Sequence, residues 1–168
     1  MSKQVKDLEI LDYPPLTDDL EVAKEHLDIY GMALIKNTLS ADEVDQMDKR
    51  LTEQFFGEEK FKVGSKVRGD EGLGVESSEE QKVSRLVWNL INKGDCFLKL
   101  IDHPKILPLI QHIIGERVCL CSMGAHMNGS GNERMALHQD QWPLVPHPMD
   151  FAFMANVMYL ISDNSEEN

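Results

Sequence analysis

The sequence has no apolar run long enough to cross a membrane, and its first residues lack the apolar segment that secretory signals carry. A membrane-spanning helix needs about 20 largely apolar residues, whereas the N-terminus, MSKQVKDLEI, is charged and polar. The three cysteines, Cys96, Cys119 and Cys121, are an odd number and too few for a disulfide-stabilised fold. We interpret them as thiols of the core, with a metal-binding pair at Cys119 and Cys121 as the alternative, and predict a soluble, cytoplasmic protein.

Basic residues are also scarce. The 17 lysines and arginines are outnumbered by 29 aspartates and glutamates, which gives a formal net charge of −12. Proteins that bind nucleic acids or anionic membranes usually present a basic patch, and the sequence has no extended basic cluster, so we expect neither partner. A chain of 168 residues is long enough for one domain with a core and too short for two ordinary ones. Residues 1–168 are therefore predicted to form a single domain, whose oligomeric state the sequence leaves undetermined.

Signals for helix ends are clear in the first third of the chain. Thr17 is a candidate N-cap for a first helix, and Gly31 is a natural stop for it. Ser40 and Glu43 have the spacing of a capping box, in which each residue bonds the backbone N–H of the other. An apolar stripe at helical spacing follows this box and predicts a second helix, which ends near Phe56.

Residues 1–116 as a whole are predicted to be mainly helical. Apolar positions recur at helical spacing in three further segments, which are Val83–Ile91, Phe97–Ile101 and Lys105–Ile114. Residues 57–81 interrupt this pattern with glycines and charges, and we predict a long loop there.

Residues 117–168 show patterns typical of β-strands. Strands are predicted at Arg117–Asn128, Met135–His138 and Phe151–Ile161. The first two flank a turn rich in Gly and Ser and should pair as a hairpin, and the continuous apolarity of the third predicts that both of its faces are buried. Helices followed by antiparallel strands indicate an α+β fold, in which N-terminal helices pack on a sheet that curls into a jelly roll.

A possible metal site lies at the end of the second predicted strand. His138 and Asp140 are two positions apart, so on an extended segment their side chains project from the same face. An imidazole and a carboxylate placed in this way supply two of the three protein ligands of the facial triad that holds Fe(II) in oxygenases. The alternative for so short a motif is a capped strand end with two solvated polar side chains.

The surroundings of this motif carry a family resemblance. The sequence LHQDQWP at residues 137–143 precedes a long apolar segment and an acidic turn that ends in Glu-Asn, and two upstream stretches match as well, GMALIKNTLS at 31–40 and LIDHPKIL at 100–107. Together they resemble the phytanoyl-CoA dioxygenase family of Fe(II)- and 2-oxoglutarate-dependent oxygenases. The resemblance implies a jelly roll, Fe(II) and 2-oxoglutarate as cofactors, hydroxylation of a small-molecule substrate, and His138 and Asp140 as metal ligands.

The same resemblance suggests further site residues. Asn156, Met158 and Leu160 alternate onto one face of the last predicted strand, which should face the lumen of the barrel. We predict that Asn156 and Met158 lie at the 2-oxoglutarate site, because Met158 occupies the position of a Trp beside the co-substrate in relatives. Asn128 is a further candidate for that site, and two residues that follow the metal motif should line the substrate side, namely Gln141 and Trp142. The loop at 57–81 is then either a substrate lid or an ordinary surface loop.

Two residues that the family uses are missing from the 168 residues. The family places a second metal-binding His and a 2-oxoglutarate-binding Arg after the Glu-Asn turn, whereas here the last Arg is Arg134 and the last His is His147, which lies between two prolines. We therefore expect the chain to be the N-terminal portion of a larger dioxygenase, with an incomplete barrel and little or no turnover alone. The alternative is a non-catalytic half-barrel that a partner chain completes. A cupin is a third hypothesis, but its clustered H-x-H pattern is absent.

Overall fold

The structure is a computed structural model that describes residues 13–63, 65–68, 83–127, 140 and 151–163. The described elements are α1 (Leu20–Tyr30), α2 (Ala41–Phe61), β1 (Ser65–Arg68), β2 (Val83–Trp88), a 3-10 turn (Leu90–Asn92), α3 (Asp95–Leu98), α4 (Leu107–Ile114) and β3 (Gly124–Met127). Helices and an antiparallel sheet together confirm the predicted α+β class. Within these residues, no helix combines the length and the apolarity that spanning a membrane requires.

The ends of the first two helices follow from local capping. Asp19 is the N-cap of α1, since its carboxylate accepts hydrogen bonds from two backbone N–H groups of the first turn. Thr17 lies two residues earlier, where its hydroxyl accepts a hydrogen bond from the N–H of Asp19 at 3.1 Å, so the predicted cap was two residues too early. Gly31 ends α1 with φ of +71°, a conformation that glycine adopts without strain. The capping box of Ser40 and Glu43 is confirmed at the start of α2.

The predicted helix at Val83–Ile91 was wrong. Its first six residues form β2, the central strand of a three-stranded antiparallel sheet with the order β1-β2-β3. Leu86 and Val87 are adjacent and both buried, which a strand allows because neighbouring side chains point to opposite faces. Pairing with β1 and β3 stabilises this conformation. The spacing of the apolar residues fits the period of a helix and that of a strand, and pairing with the partner strands selects the strand.

The predicted loop at 57–81 is also shorter than expected. Helix α2 continues to Phe61, five residues past its predicted end near Phe56. Strand β1 then occupies Ser65–Arg68. The loop prediction for residues 69–81 lies outside the described residues.

The main core lies between α2 and the elements that follow β2. Met47, Leu51 and Phe55 are four residues apart, so they form one stripe on α2. This stripe packs against buried side chains from β2, the 3-10 turn and α3. Cys96 belongs to this core as predicted. The same prediction was wrong for the other two cysteines, Cys119 and Cys121, which are exposed on the segment before β3.

The predicted strands after residue 116 are only partly present in the described residues. Of the described residues 117–127 in the first predicted strand, only Gly124–Met127 forms a strand, and residues 151–163 carry no strand assignment. The expectation that both faces of 151–161 are buried was wrong, because Met158 is 84% exposed and Leu160 63% exposed. Met135–His138 lies outside the described residues. The described sheet is open, so the jelly roll stays a prediction.

Candidate active site

Two of the predicted site residues are in direct contact. The side-chain amide of Asn156 donates a hydrogen bond from Nδ2 to Oδ2 of Asp140 at 2.5 Å. Sixteen positions separate these residues in the chain, and their shared position therefore depends on tertiary structure. Asp140 was predicted as a metal ligand and Asn156 as a residue of the 2-oxoglutarate site. Their contact joins the two predicted parts of the site, and their roles stay predictions.

Asn156 lies on the open face of its segment, that is, on the surface formed by the exposed residues among 156–160. Asn156, Met158 and Leu160 are all exposed, as expected for alternate residues of an extended chain. The residues between and after them, Tyr159 and Ile161, pack against the main core instead. Val157 is exposed as well, so the predicted sharing of one face by Asn156, Met158 and Leu160 stays a prediction, in which Asn156 is the polar member.

Tyr159 connects residues 151–163 to the turn that follows α3. Its hydroxyl donates a hydrogen bond to the backbone carbonyl of Leu100 at 3.2 Å. Burial of the phenol raises the pKa of Tyr159 to about 12, since the charged phenolate is disfavoured away from water. The edge of its ring also meets His103, with the ring centroids 6.2 Å apart and the planes at 62°. Three residues before this anchor, Asn156 reaches Asp140.

His103 is itself held by two backbone groups. Its Nε2 lies 2.9 Å from the carbonyl oxygen of Thr38, and its Nδ1 accepts from the backbone N–H of Lys105 at 3.2 Å. A carbonyl only accepts and an N–H only donates, so both bonds form together when the ring is neutral with its proton on Nε2. Both ring nitrogens of His103 therefore contact backbone groups of the chain.

Sequence analysis did not identify Tyr159 and His103 as supports of the site. One signal was available, because Tyr159 is the one hydroxyl-bearing residue within the apolar run VMYLI at 157–161. A tyrosine that packs into a core needs a hydrogen-bond partner for its hydroxyl. The partner, a backbone carbonyl 59 positions away, has no signature in the sequence.

The remaining predicted site residues lie outside the described residues. These are His138, Asn128, Gln141 and Trp142. Among the described residues, no group of three or more His, Cys, Asp or Glu side chains could hold a metal ion. The described part of the site therefore supplies one carboxylate, that of Asp140, with its amide partner.

Two other histidines have structural surroundings. His112 is exposed on α4, with Nε2 2.8 Å from a carboxylate oxygen of Asp28. His26 is buried on α1. Its ring meets Tyr30 edge-on. Within the described residues, neither histidine belongs to a group of three or more His, Cys, Asp or Glu side chains that could hold a metal ion.

Comparisons with known proteins found one family model and one curated relative. The family model described as phytanoyl-CoA dioxygenase (PhyH) matches residues 27–168. A curated relative, the dioxygenase af480 of Aspergillus fumigatus, is 26% identical over 153 residues, which are 91% of this chain and 47% of that protein. The chain thus spans about half the length of this relative. No solved structure matches the chain. The matched range contains both residues of the contact between Asp140 and Asn156.

Proposed function

We propose, from the premise that this chain belongs to the phytanoyl-CoA dioxygenase family, that it is part of an Fe(II)- and 2-oxoglutarate-dependent dioxygenase that hydroxylates a small molecule. The observation that carries the proposal is the hydrogen bond between Asp140 and Asn156, since it joins a candidate ligand to a candidate co-substrate residue. A cytoplasmic location and a partial jelly roll, with the face of Asn156 toward its lumen, are parts of the same proposal.

The chemistry of the donor set fits Fe(II). His138 would contribute an imidazole nitrogen and Asp140 a carboxylate oxygen, which are two members of the ligand set used by non-haem iron oxygenases. When bound, Fe(II) with 2-oxoglutarate supplies the oxygen chemistry that side chains lack. The protein groups bind and orient. Asn156, Asn128 and Met158 are proposed at the co-substrate side, and the substrate side is assigned to Gln141 and Trp142.

The open face around Asn156 leaves room for a competing proposal. Phe151, Met158 and Leu160 are large apolar side chains that are each at least 63% exposed. A non-catalytic half-barrel that a partner chain completes would also present such a face. Metal binding distinguishes the two proposals, because a purely structural half-barrel has no need for the imidazole and carboxylate at 138 and 140.

The test is an anaerobic titration of the 168-residue chain with Fe(II), in which binding is measured by calorimetry. We expect measurable binding, weakened at least about 10-fold by His138→Ala and by Asp140→Ala, because each change removes a proposed ligand. His112→Ala is the matched control, since this exposed histidine pairs with Asp28 on another face. Equal affinities in all four proteins would contradict the proposal. Far-UV circular dichroism checks that each variant is folded.

Turnover is a separate expectation for the same chain. With the family's second His and its Arg missing from residues 1–168, we expect little or no succinate from 2-oxoglutarate, because the metal would lack a protein ligand and the co-substrate its guanidinium partner. Succinate formation that needs Fe(II) and is lost in His138→Ala would overturn the expectation of inactivity and would support the assignment of the metal site.

A further inference from the structure

Two of the three cysteines are exposed, two positions apart, on the segment that leads into β3. Cys119 and Cys121 are free thiols at the surface, and Leu120 between them is 46% exposed, so solvent reaches the whole stretch. Residues 117–123 have no helix or strand assignment, and β3 begins at Gly124. We propose that Cys119 and Cys121 form a reversible disulfide, which makes this stretch a redox-sensitive modification site. The inference does not depend on the proposed function.

The chain itself keeps the two thiols close to each other. Consecutive Cα atoms are about 3.8 Å apart, so the Cα atoms of residues 119 and 121 are separated by no more than about 7.6 Å. A disulfide usually joins Cα atoms about 4.4–6.8 Å apart and Cβ atoms about 3.5–4.5 Å apart. A bend in the stretch is therefore enough to join the two sulfur atoms. Because residues 117–123 have no strand assignment, such a bend need not break a strand ladder there.

The other possible partners of these thiols have less support. Cys96 is only 7% exposed and belongs to the main core, so a surface thiol reaches it only when the core opens. A metal-binding pair would need further ligands, since structural sites for soft ions such as Zn²⁺ usually have four. Within the described residues, no group of three or more His, Cys, Asp or Glu side chains could hold a metal ion. A disulfide needs only the two thiols themselves.

The proposed reaction is thiol–disulfide exchange with oxidised glutathione as the oxidant. One cysteine loses its proton, and its sulfur attacks the glutathione disulfide, which forms a mixed disulfide and releases one glutathione thiolate. The second cysteine then loses its proton and attacks the first cysteine sulfur, which closes the ring and releases the other thiolate. The two cysteines give up two electrons, oxidised glutathione is reduced to two thiols, and the two protons end on the released thiolates.

The closed form should be easy to reduce again. Ring closure over one intervening residue bends the backbone, and a disulfide held away from its preferred geometry stores strain that makes it more reducible. Strained or exposed disulfides are the labile ones that serve in regulation, whereas structural disulfides resist reduction by glutathione. We therefore expect the open and closed forms to interconvert with the ratio of oxidised to reduced glutathione.

The experiment equilibrates the folded 168-residue chain, with a metal chelator present, at increasing ratios of oxidised to reduced glutathione. Free thiols are blocked with N-ethylmaleimide, the chain is unfolded, and newly accessible thiols are blocked with an isotopically heavy maleimide. Mass spectrometry of the tryptic peptides then reads each cysteine. Cys119 and Cys121 lie together on the peptide Val118–Arg134, and Cys96 lies on the peptide Gly94–Lys99, so the two states are measured separately.

We expect the peptide Val118–Arg134 to carry two light maleimides under reducing conditions and none under oxidising conditions, where it should be two hydrogens lighter than the free dithiol. An excess of reduced glutathione should restore both maleimides. Cys96 should carry the heavy label throughout, because it is buried. Cys119→Ser and Cys121→Ser should each carry one glutathione on the remaining thiol, since no ring can close. Both changes are at exposed positions and should leave the chain folded, which far-UV circular dichroism checks.

Cys96→Ala is the matched control and should close the ring like the parent chain, and the peptide map of the parent gives the same answer without any substitution. Two glutathione molecules on the parent peptide at every oxidising ratio would overturn the proposal, because the thiols would then react independently. Thiols that stay reduced at ratios where Cys119→Ser already carries glutathione would also overturn it. A disulfide that excess reduced glutathione fails to open would contradict its reversibility.

Discussion

Glu58 near the end of α2 joins that helix to the turn after the 3-10 segment. Its carboxylate accepts hydrogen bonds from Lys93 Nζ at 2.9 Å and from Gln54 Nε2 at 2.8 Å. The side chain of Glu58 is only 12% exposed and that of Lys93 26%. Burial acts to raise the pKa of Glu58, but the hydrogen bonds from Gln54 and Lys93 outweigh it and hold the pKa below its ordinary value of 4.5.

Replacing Glu58 by Gln keeps an acceptor oxygen and the shape of the side chain but removes the charge. We expect a loss of about 1–2 kcal/mol in the free energy of unfolding at pH 7. This lies between the 0–1 kcal/mol of exposed ion pairs and the 1.5–3 kcal/mol of hydrogen bonds to buried charged groups, because the pair is partly buried. A lowered folded-state pKa stabilises the protein above the unfolded pKa, and this contribution disappears as pH falls through the folded value. The difference between parent and Glu58→Gln should therefore vanish at acid pH.

Urea unfolding followed by circular dichroism at pH 7 and near pH 3 measures both effects. Glu53→Gln is the matched control, since this carboxylate on the same helix is 58% exposed and 3.9 Å from its partner Arg50. We expect it to change stability by no more than about 0.5 kcal/mol. Lys93→Met completes a double-mutant cycle with Glu58→Gln. A coupling energy near zero, or the same loss at both pH values, would refute the account of a charge-dependent link.

Three further predictions concern the core, a turn and the anchor of the open segment. Phe97→Ala should lower the free energy of unfolding by about 3–5 kcal/mol, because the ring is fully buried. Gly94→Ala should lower it by about 1–3 kcal/mol, since φ is +156° and a Cβ would lie 3.3 Å from Cγ of Arg50. Both are measured by urea unfolding. Tyr159→Phe should remove the step near pH 12 from the tyrosinate absorbance titration. The pKa of Tyr159 is raised in the folded state, so the contribution of its neutral hydroxyl to stability is complete below about pH 10 and is lost as pH rises toward 12. The stability of Tyr159→Phe should not show this decrease between about pH 10 and 12.

Two of these predictions have a control in the same chain, and the third has an outcome that would contradict it. Phe56 is 63% exposed, so Phe56→Ala should change stability little, and an effect as large as that of Phe97→Ala would contradict the location of the core. Gly57 lies inside α2 with open space around it, so Gly57→Ala should stabilise by about 0.5–1 kcal/mol. A loss of stability there, or a gain in Gly94→Ala, would contradict the backbone argument. For Tyr159→Phe, an unchanged titration near pH 12 would assign the raised pKa to another tyrosine.

The sequence predicted the ends of helices better than the course of strands. Ser40 with Glu43 and the stop at Gly31 depend on residues within one or two turns, so the signal and the structure lie in the same short stretch. Val83–Trp88 was predicted as a helix. It forms a strand instead, because pairing with β1 and β3 stabilises the extended conformation. Those partners are brought beside it only in the folded chain.

The candidate site shows the same division. The residue types at His138 and Asp140, two positions apart, indicated metal chemistry and the family before any fold was known, because ligand identity and local spacing are properties of the sequence. The alternation of Met158–Ile161 between solvent and core likewise agrees with the period of an extended chain.

Only the tertiary structure decided which of these groups meet. It places Asn156 on Asp140, fixes Tyr159 on a carbonyl 59 positions away, and leaves Met158 exposed on the open face. These contacts join residues far apart in the chain, and their free energy depends on distances that local propensities do not specify. The sequence determined the family of this chain and predicted a metal site, and long-range packing determined which residues of that predicted site meet.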